Sequence, residues 1–268
     1  MFNHSSKLFT TVFVIAATAF GISRVASADA QIAYKNSNDI QTALIKKGKV
    51  LIQNASDKNT EMLYNSANQT MTVIDHAEKS YMLLDAQTIE QLTSQLSGIK
   101  SAMKQQLDNL SPEQREQLSA FLGGISTETE TPTKTVISVK SKGKSSSNGY
   151  ACDDNSLLED GAVVGSFCLA NAVTLKINNA DYQTMVSMQN FMFDMAQKAK
   201  SSLGDLGNQI PNLGGLKVNR VVISGNMNNE PENSFSLQSS SAKPVTATMS
   251  VPAGYRQQDT SSLGSLIN

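Results

Sequence analysis

Histidine and cysteine are scarce in this chain, with two of each in 268 residues. One histidine, His4, belongs to the N-terminal leader described below, so the remainder carries His76 alone. A triad built on histidine and a metal site built on several of them are thereby excluded. His76 lies in the polar turn Asp75-His76-Ala77-Glu78-Lys79, where a solvated loop residue is expected. Charge of one sign is also missing: without a leader holding Lys7 and Arg24, 20 basic residues stand against 23 acidic ones. That balance does not suggest a nucleic-acid partner. No Gly-x-Ser-x-Gly elbow occurs. Gly143-Lys144-Ser145 imitates the end of a phosphate loop, but Ser138 stands where its first glycine should be and no helical pattern follows. Asp153-Asp154-Asn155 lacks the spacing and central glycine of a calcium loop, leaving its carboxylates as solvent-facing strand and loop residues. Glu128 and Glu130 fall in a polar linker, STETETPTK, where no desolvated pocket would tune a general acid. The residues therefore point to a protein that is not an enzyme and needs no cofactor or metal.

Long apolar runs are absent after the first. Leu8 to Ile22, preceded by Lys7, is uncharged and about fifteen residues long, the length of a signal-peptide core and short of the ~20 residues that span a bilayer. Small-x-small sites follow at Ala26-Ser27-Ala28 and Ala28-Asp29-Ala30, so cleavage is expected after Ala28 or Ala30, with Ala28 favoured. Residues 1–28 are thus read as a signal peptide and 29–268 as a single domain. No integral membrane segment is expected in the mature chain, which is read as periplasmic. A single cysteine pair suits an oxidising compartment.

Those two cysteines sit in one stretch, Gly149 to Ala170. Half-apolar runs flank Glu159-Asp160-Gly161, and a three-residue loop closing on glycine would set Leu158 opposite Ala162 and Cys152 opposite Cys168. Opposed strand residues lie about 4.5–5.5 Å apart, inside the window a disulfide needs. A Cys152–Cys168 disulfide is expected.

Around this hairpin the periodicity alternates. Thr42–Lys46, Lys49–Gln53, Thr60–Tyr64, Thr70–Ile74 and Ser80–Leu84 read as a meander of strands, several apolar on both faces. Ala86 to Leu110 switches to helical spacing, with Ile89, Leu92, Leu96, Ile99, Met103 and Leu107 on one stripe. A second short helix is expected after Ser111-Pro112. Thr135–Lys140 resumes as a strand and meets the hairpin through a turn over Lys142 to Asn148, while Ala172 to Ile177 extends the hairpin or begins a crossing strand. Asp181 to Leu203 is helical and rich in methionine, with Met185, Met188, Met192 and Met195 recurring at three- and four-residue steps. Such a stripe fills a core or forms an adaptable lining for an apolar guest. The last strands are Val218–Ile223, a strand around Phe235 and Leu237, and the cleanest alternation of all, Val245, Ala247, Met249 and Val251. The tail after Tyr255 is expected to fray.

Lys79-Ser80-Tyr81-Met82, Gly149-Tyr150-Ala151-Cys152 and Val251-Pro252-Ala253-Gly254-Tyr255, in this order of elements, resemble a bacterial exported family known as a domain of unknown function. That family is similar in turn to the lipoprotein-carrier and RseB-like half-barrels. The resemblance spans the mature chain and implies an α+β fold: a strongly curved antiparallel sheet, an open half-barrel, with helices packed on its concave face. It makes a lipid or a lipoprotein acyl chain the expected partner, with an envelope protein as the alternative. The candidate hydrophobic lining is then Met185, Met188, Met192, Met195, Ile89, Leu92, Leu96 and Met103.

Overall fold

The computed structural model describes residues 29–36, 39–88, 136–203, 216–227 and 234–258, together with 90, 91, 94, 98, 105, 109, 111 and 213. The meander forms as its pattern dictates: β1 (Ala30–Asn36), β2 (Ile40–Lys46), β3 (Lys49–Asn54), β4 (Thr60–Asn65), β5 (Thr70–Asp75) and β6 (Ser80–Leu84) pair antiparallel, each with the next. Period two then sorts the side chains. Ile45, Val50, Tyr64 and Met71 oppose one another across four strands on one face, and Leu44, Leu51 and Leu63 do so on the other. Both sets are substantially buried, so both faces of this half of the sheet are covered.

The rest of the sheet comes from β7 (Ile137–Ser147), β8 (Tyr150–Glu159), β9 (Ala162–Ala170), β10 (Val221–Met227), β11 (Ser234–Ala242) and the two-residue β12 (Arg256–Gln257). β1 and β11 join the halves, and among the described residues the order β12-β6-β5-β4-β3-β2-β1-β11-β10-β9-β8-β7 ends at β12 and β7. Helix is confined, among the described residues, to the single turn α1 (Ala172–Leu175), to α2 (Asn179–Leu203), and to turns that open at 86–88 and continue through the scattered residues beyond.

This overturns the expected α+β half-barrel with helices packed on a concave face. The protein is mainly β, one open twelve-stranded sheet, and the sheet is mixed because β12 runs parallel to β6. The physical reason lies in what roofs the two-faced strands. On one face the roof is α2, whose Ser187 bonds Tyr64 and whose buried Met185 and Met188 pack into one cluster with Ile45, Val50, Tyr64 and Met71. On the other, among the described residues, it is not a helix. Residues 245–255 cross that face as an extended strap, placing Ala247, Met249, Val251 and Tyr255 over Leu51, Leu63 and Ile74. The alternation from Val245 to Val251 is therefore real, but it belongs to a strap and not to a strand of the sheet. Its backbone groups are met by side chains: Lys46 Nζ donates to the Val245 carbonyl at 2.5 Å, Lys49 Nζ to that of Met249 at 2.8 Å, and the Val245 N–H to Asp29 Oδ2 at 2.9 Å. The residues after Tyr255 do not fray at once, since Arg256 and Gln257 pair with Ser80 and Tyr81.

His76 is likewise more than a solvated loop residue. Its Nδ1 lies 2.8 Å from the Tyr255 hydroxyl and its Nε2 3.0 Å from Glu61 Oε2, so it ties the end of the strap to β4. Lys142 to Ser147 belong to β7 and not to a turn. The turn is Asn148-Gly149, with φ of 48° and 82°, and Asp160-Gly161 repeats the geometry at 49° and 84° between β8 and β9. Both central residues at positive φ make the two-residue hairpin turn that matches strand twist, which glycine at the second position permits. The β8–β9 loop is thus two residues and not three, and a bulge at Leu157/Leu158 shifts the register further, setting Cys168 opposite Asp154. Cys152 and Cys168 are nonetheless joined, diagonally across the pair, with Cα atoms 5.6 Å apart. Ala172 to Ile177 neither extends the hairpin nor begins a strand. Asn171 Oδ1 accepts the Thr174 N–H at 2.9 Å and caps α1 instead.

Candidate functional site

The site starts from a gap in hydrogen bonding. β10 pairs with β9 from Val221 to Met227, but β11 reaches it only at Ser224–Asn226 among the described residues. A bulge at Val222/Ser224 accompanies the parting. Backbone groups left on the β11 side need other partners, because burying them unpaired costs free energy. Two consecutive amides of α2 serve Val222 of β10 and, in the segment just ahead of the strand, Val218. Gln189 accepts the Val222 N–H at 3.0 Å and donates to its carbonyl at 3.2 Å, and Asn190 accepts the Val218 N–H and donates to the Val218 carbonyl, both at 2.8 Å. Each side chain thus presents one donor and one acceptor to a residue, as a neighbouring strand would. The Tyr34 hydroxyl adds a third bond, donating to the Val222 carbonyl at 3.2 Å.

α2 is held for this task at its start. The Asp181 N–H donates to Asn178 Oδ1 at 2.9 Å while Asn178 Nδ2 donates to Asp181 Oδ2 at 2.6 Å, a reciprocal cap. Asp181 is buried, and that burial raises its carboxyl pKa against the opposing pull of the Asn178 bond. At the next residue, the Tyr182 hydroxyl donates to the Ala170 carbonyl at 3.1 Å. Further along, Phe191 packs against Tyr64 with the ring planes tilted by 44° and the centres 5.4 Å apart.

Between the parted strands and α2 lies a cavity of about 240 Å³. Its sheet wall is Tyr34, Ala43, Ile52, Phe167, Val222 and Phe235; its helix wall is Met185, Met188, Met192 and Phe193, with Gln189 between. Leu216 closes one side, and Asn36 and Gln41 supply the remaining polar atoms. Tyr34 and Phe235 meet edge to face at 6.1 Å, and burial pushes the Tyr34 phenol above its ordinary pKa. Gly225 makes room for this: a Cβ there would come within 2.8 Å of the Phe235 ring and 3.3 Å of the Ser166 carbonyl. An apolar cavity of roughly 150 Å³ stays dry and admits benzene, whereas pockets for drug-sized ligands start at roughly 300 Å³. The space here therefore suits a small apolar molecule or one end of a longer one.

Of the residues singled out by sequence, Met185, Met188 and Met192 share this cavity. Met185 and Met188 are almost wholly buried, while Met192 is 41% exposed at its rim. Met195 instead lines a second, more polar cavity of about 510 Å³ with Asp194, Lys198 and the β4–β5 turn at Asn68–Thr70. Ile89, Leu92, Leu96 and Met103 lie outside the described residues. Sequence reasoning missed the aromatic and strand residues of the wall and the two amides. Gln189-Asn190 beside an apolar stripe was the available signal, since amides packed among methionines require partners.

The acidic run on β8 is not solvent-facing in the sense expected. Asp153 is bonded by Arg220 and by Lys144 at 2.5 Å, and the Arg220 guanidinium, followed by Lys144, holds its carboxyl below the usual range. Asp154 pairs with Lys142 at 3.2 Å. Among the described residues no three His, Cys, Asp or Glu side chains converge in a way that could hold a metal, and no helix is long and apolar enough to cross a membrane. No protein-family model matches the chain, and no curated protein matches it.

Proposed function

We propose that this protein is a non-enzymatic binding protein of an exported compartment such as the bacterial periplasm. Its guest is a lipid, an acyl chain or a lipidated partner, and kinship with the exported family whose motifs it resembles belongs to the same proposal. The observation that carries the reading is the cavity between the parted β10–β11 strands and α2, with three methionines on one wall. Thioethers on flexible stems repack around guests of differing shape. A void that served no purpose would forfeit dispersion contacts on every lining atom. Native mass spectrometry of gently purified protein tests it. A co-purifying apolar species, released by organic solvent, is expected; bare polypeptide in every preparation, with no binding of lipid probes, contradicts it.

A structural role in the envelope is the second reading, favoured by Met185 and Met188, which at 1% and 4% exposure are as buried as any core residue. Met188→Leu with Met192→Leu separates the two. Volume-conserving swaps cost less than about 1.5 kcal/mol in either case, but only a lining changes its guest preference.

A further inference from the structure

The cavity wall has an electrostatic character that narrows the guest further. None of the described residues lining it carries a charge. Its polar atoms are also largely committed. Gln189 is bonded at both ends to Val222, Tyr34 donates to the same carbonyl, and Asn36 Oδ1 accepts the Asp39 N–H at 2.7 Å. The charges nearest along the chain offer nothing to an anion. Lys35 alternates with Tyr34 and Asn36 and so projects from the opposite side of β1. Lys217, next to Leu216, is paired with Asp194, and Arg220, two residues before Val222, is paired with Asp153. The charge beside Asn36 is itself negative, the Asp39 carboxylate, held by the Ser56 hydroxyl at 2.5 Å. An anionic group entering here would lose its water and meet no cation among the described lining residues, a cost that polar burial without partners makes large.

We infer that the site selects uncharged apolar guests, or the uncharged end of a larger lipid, and rejects molecules whose buried part bears an anionic head. A free fatty acid entering head first is excluded on this view, while its neutral ester is accepted. The inference rests on the binding reading above, and the following experiment separates the failure of one from the failure of the other.

Two fluorophores with the same rings serve as probes: phenylnaphthylamine, which is uncharged, and anilinonaphthalene sulfonate, which is anionic. Fluorescence titration is expected to show the uncharged probe binding at least tenfold more tightly, with methyl laurate displacing it at lower concentration than laurate, which is left only the tail-first orientation. Met192→Lys then places a cation at the rim, on an exposed helical position that tolerates it. This variant is expected to gain at least tenfold in affinity for the anionic probe relative to the uncharged one. Equal binding of both probes by the original protein, or an unchanged preference in Met192→Lys, overturns the charge selection and leaves the cavity a binding site. Failure of every probe to bind either protein overturns the binding reading itself.

Discussion

Gln189→Ala is the perturbation that examines the architecture of the site most closely. In the folded protein this side chain satisfies both backbone groups of Val222 that a strand would otherwise meet. Removing it strips the Val222 N–H of its partner and leaves the carbonyl with the Tyr34 hydroxyl alone. An unsatisfied buried group costs about 1–3 kcal/mol, and alanine's better helix propensity returns only a few tenths of a kcal/mol. The expected loss is therefore about 1–2.5 kcal/mol. With a urea m-value on the order of 2 kcal/mol/M, the midpoint should fall by about half a molar or more at unchanged m. Asn190→Ala, which frees both groups of Val218, should cost a similar amount. Gln183→Ala is the control, an exposed glutamine on the same helix expected to change stability by no more than about 0.5 kcal/mol. Should Gln189→Ala and Asn190→Ala prove as harmless as Gln183→Ala, the amides do not stand in for a strand and the account of the parted sheet is wrong.

Reducing the Cys152–Cys168 bond, or replacing both cysteines by serine, removes a crosslink across a sequence separation of 16 and should lower stability by about 2–4 kcal/mol in the chain-entropy account, read from unfolding curves with and without reductant. Tyr255→Phe deletes the hydroxyl on His76 Nδ1 and should cost about 0.5–1.5 kcal/mol while raising amide exchange in the strap and at β12. Asp153 has its folded pKa depressed by Arg220 and Lys144, so its contribution is fully present above the unfolded carboxylate pKa of about 3.9 and disappears as pH falls through the lower folded value. Asp153→Asn should therefore destabilise at pH 7 and flatten the acid limb of a stability profile, and a limb of unchanged slope would count against that ion cluster.

Much of the fold was legible because strand alternation is a local property. Thr42–Lys46 through Ser80–Leu84 appear nearly residue for residue as β2 to β6, and Asp181–Leu203 lies within α2. What local pattern could not convey is which alternating segment joins the sheet. Val245 to Val251 alternates more cleanly than any strand, yet Lys46 and Lys49, some two hundred residues away, capture its carbonyls and make it a strap. Register failed for a related reason: the two-residue turn and a bulge at Leu157/Leu158 each moved the pairing by one position, setting Cys168 two positions from the partner that counting assigned it, and a diagonal bond forms all the same. The methionines of the site were visible as a helical stripe. Its sheet wall was not, since Tyr34, Phe167 and Phe235 converge only through the order in which β1, β11, β10 and β9 assemble.

Methionine methyl NMR offers the most direct measurement of the central claim, because the residues concerned carry their own probes. Titrating phenylnaphthylamine into protein labelled at the methionine methyls should shift Met185, Met188 and Met192, which line the cavity, and leave Met249, on the strap over the opposite face, unmoved. Shifts confined to Met249, or saturation of binding with all three cavity methyls unchanged, would contradict the claim that this cavity receives the guest.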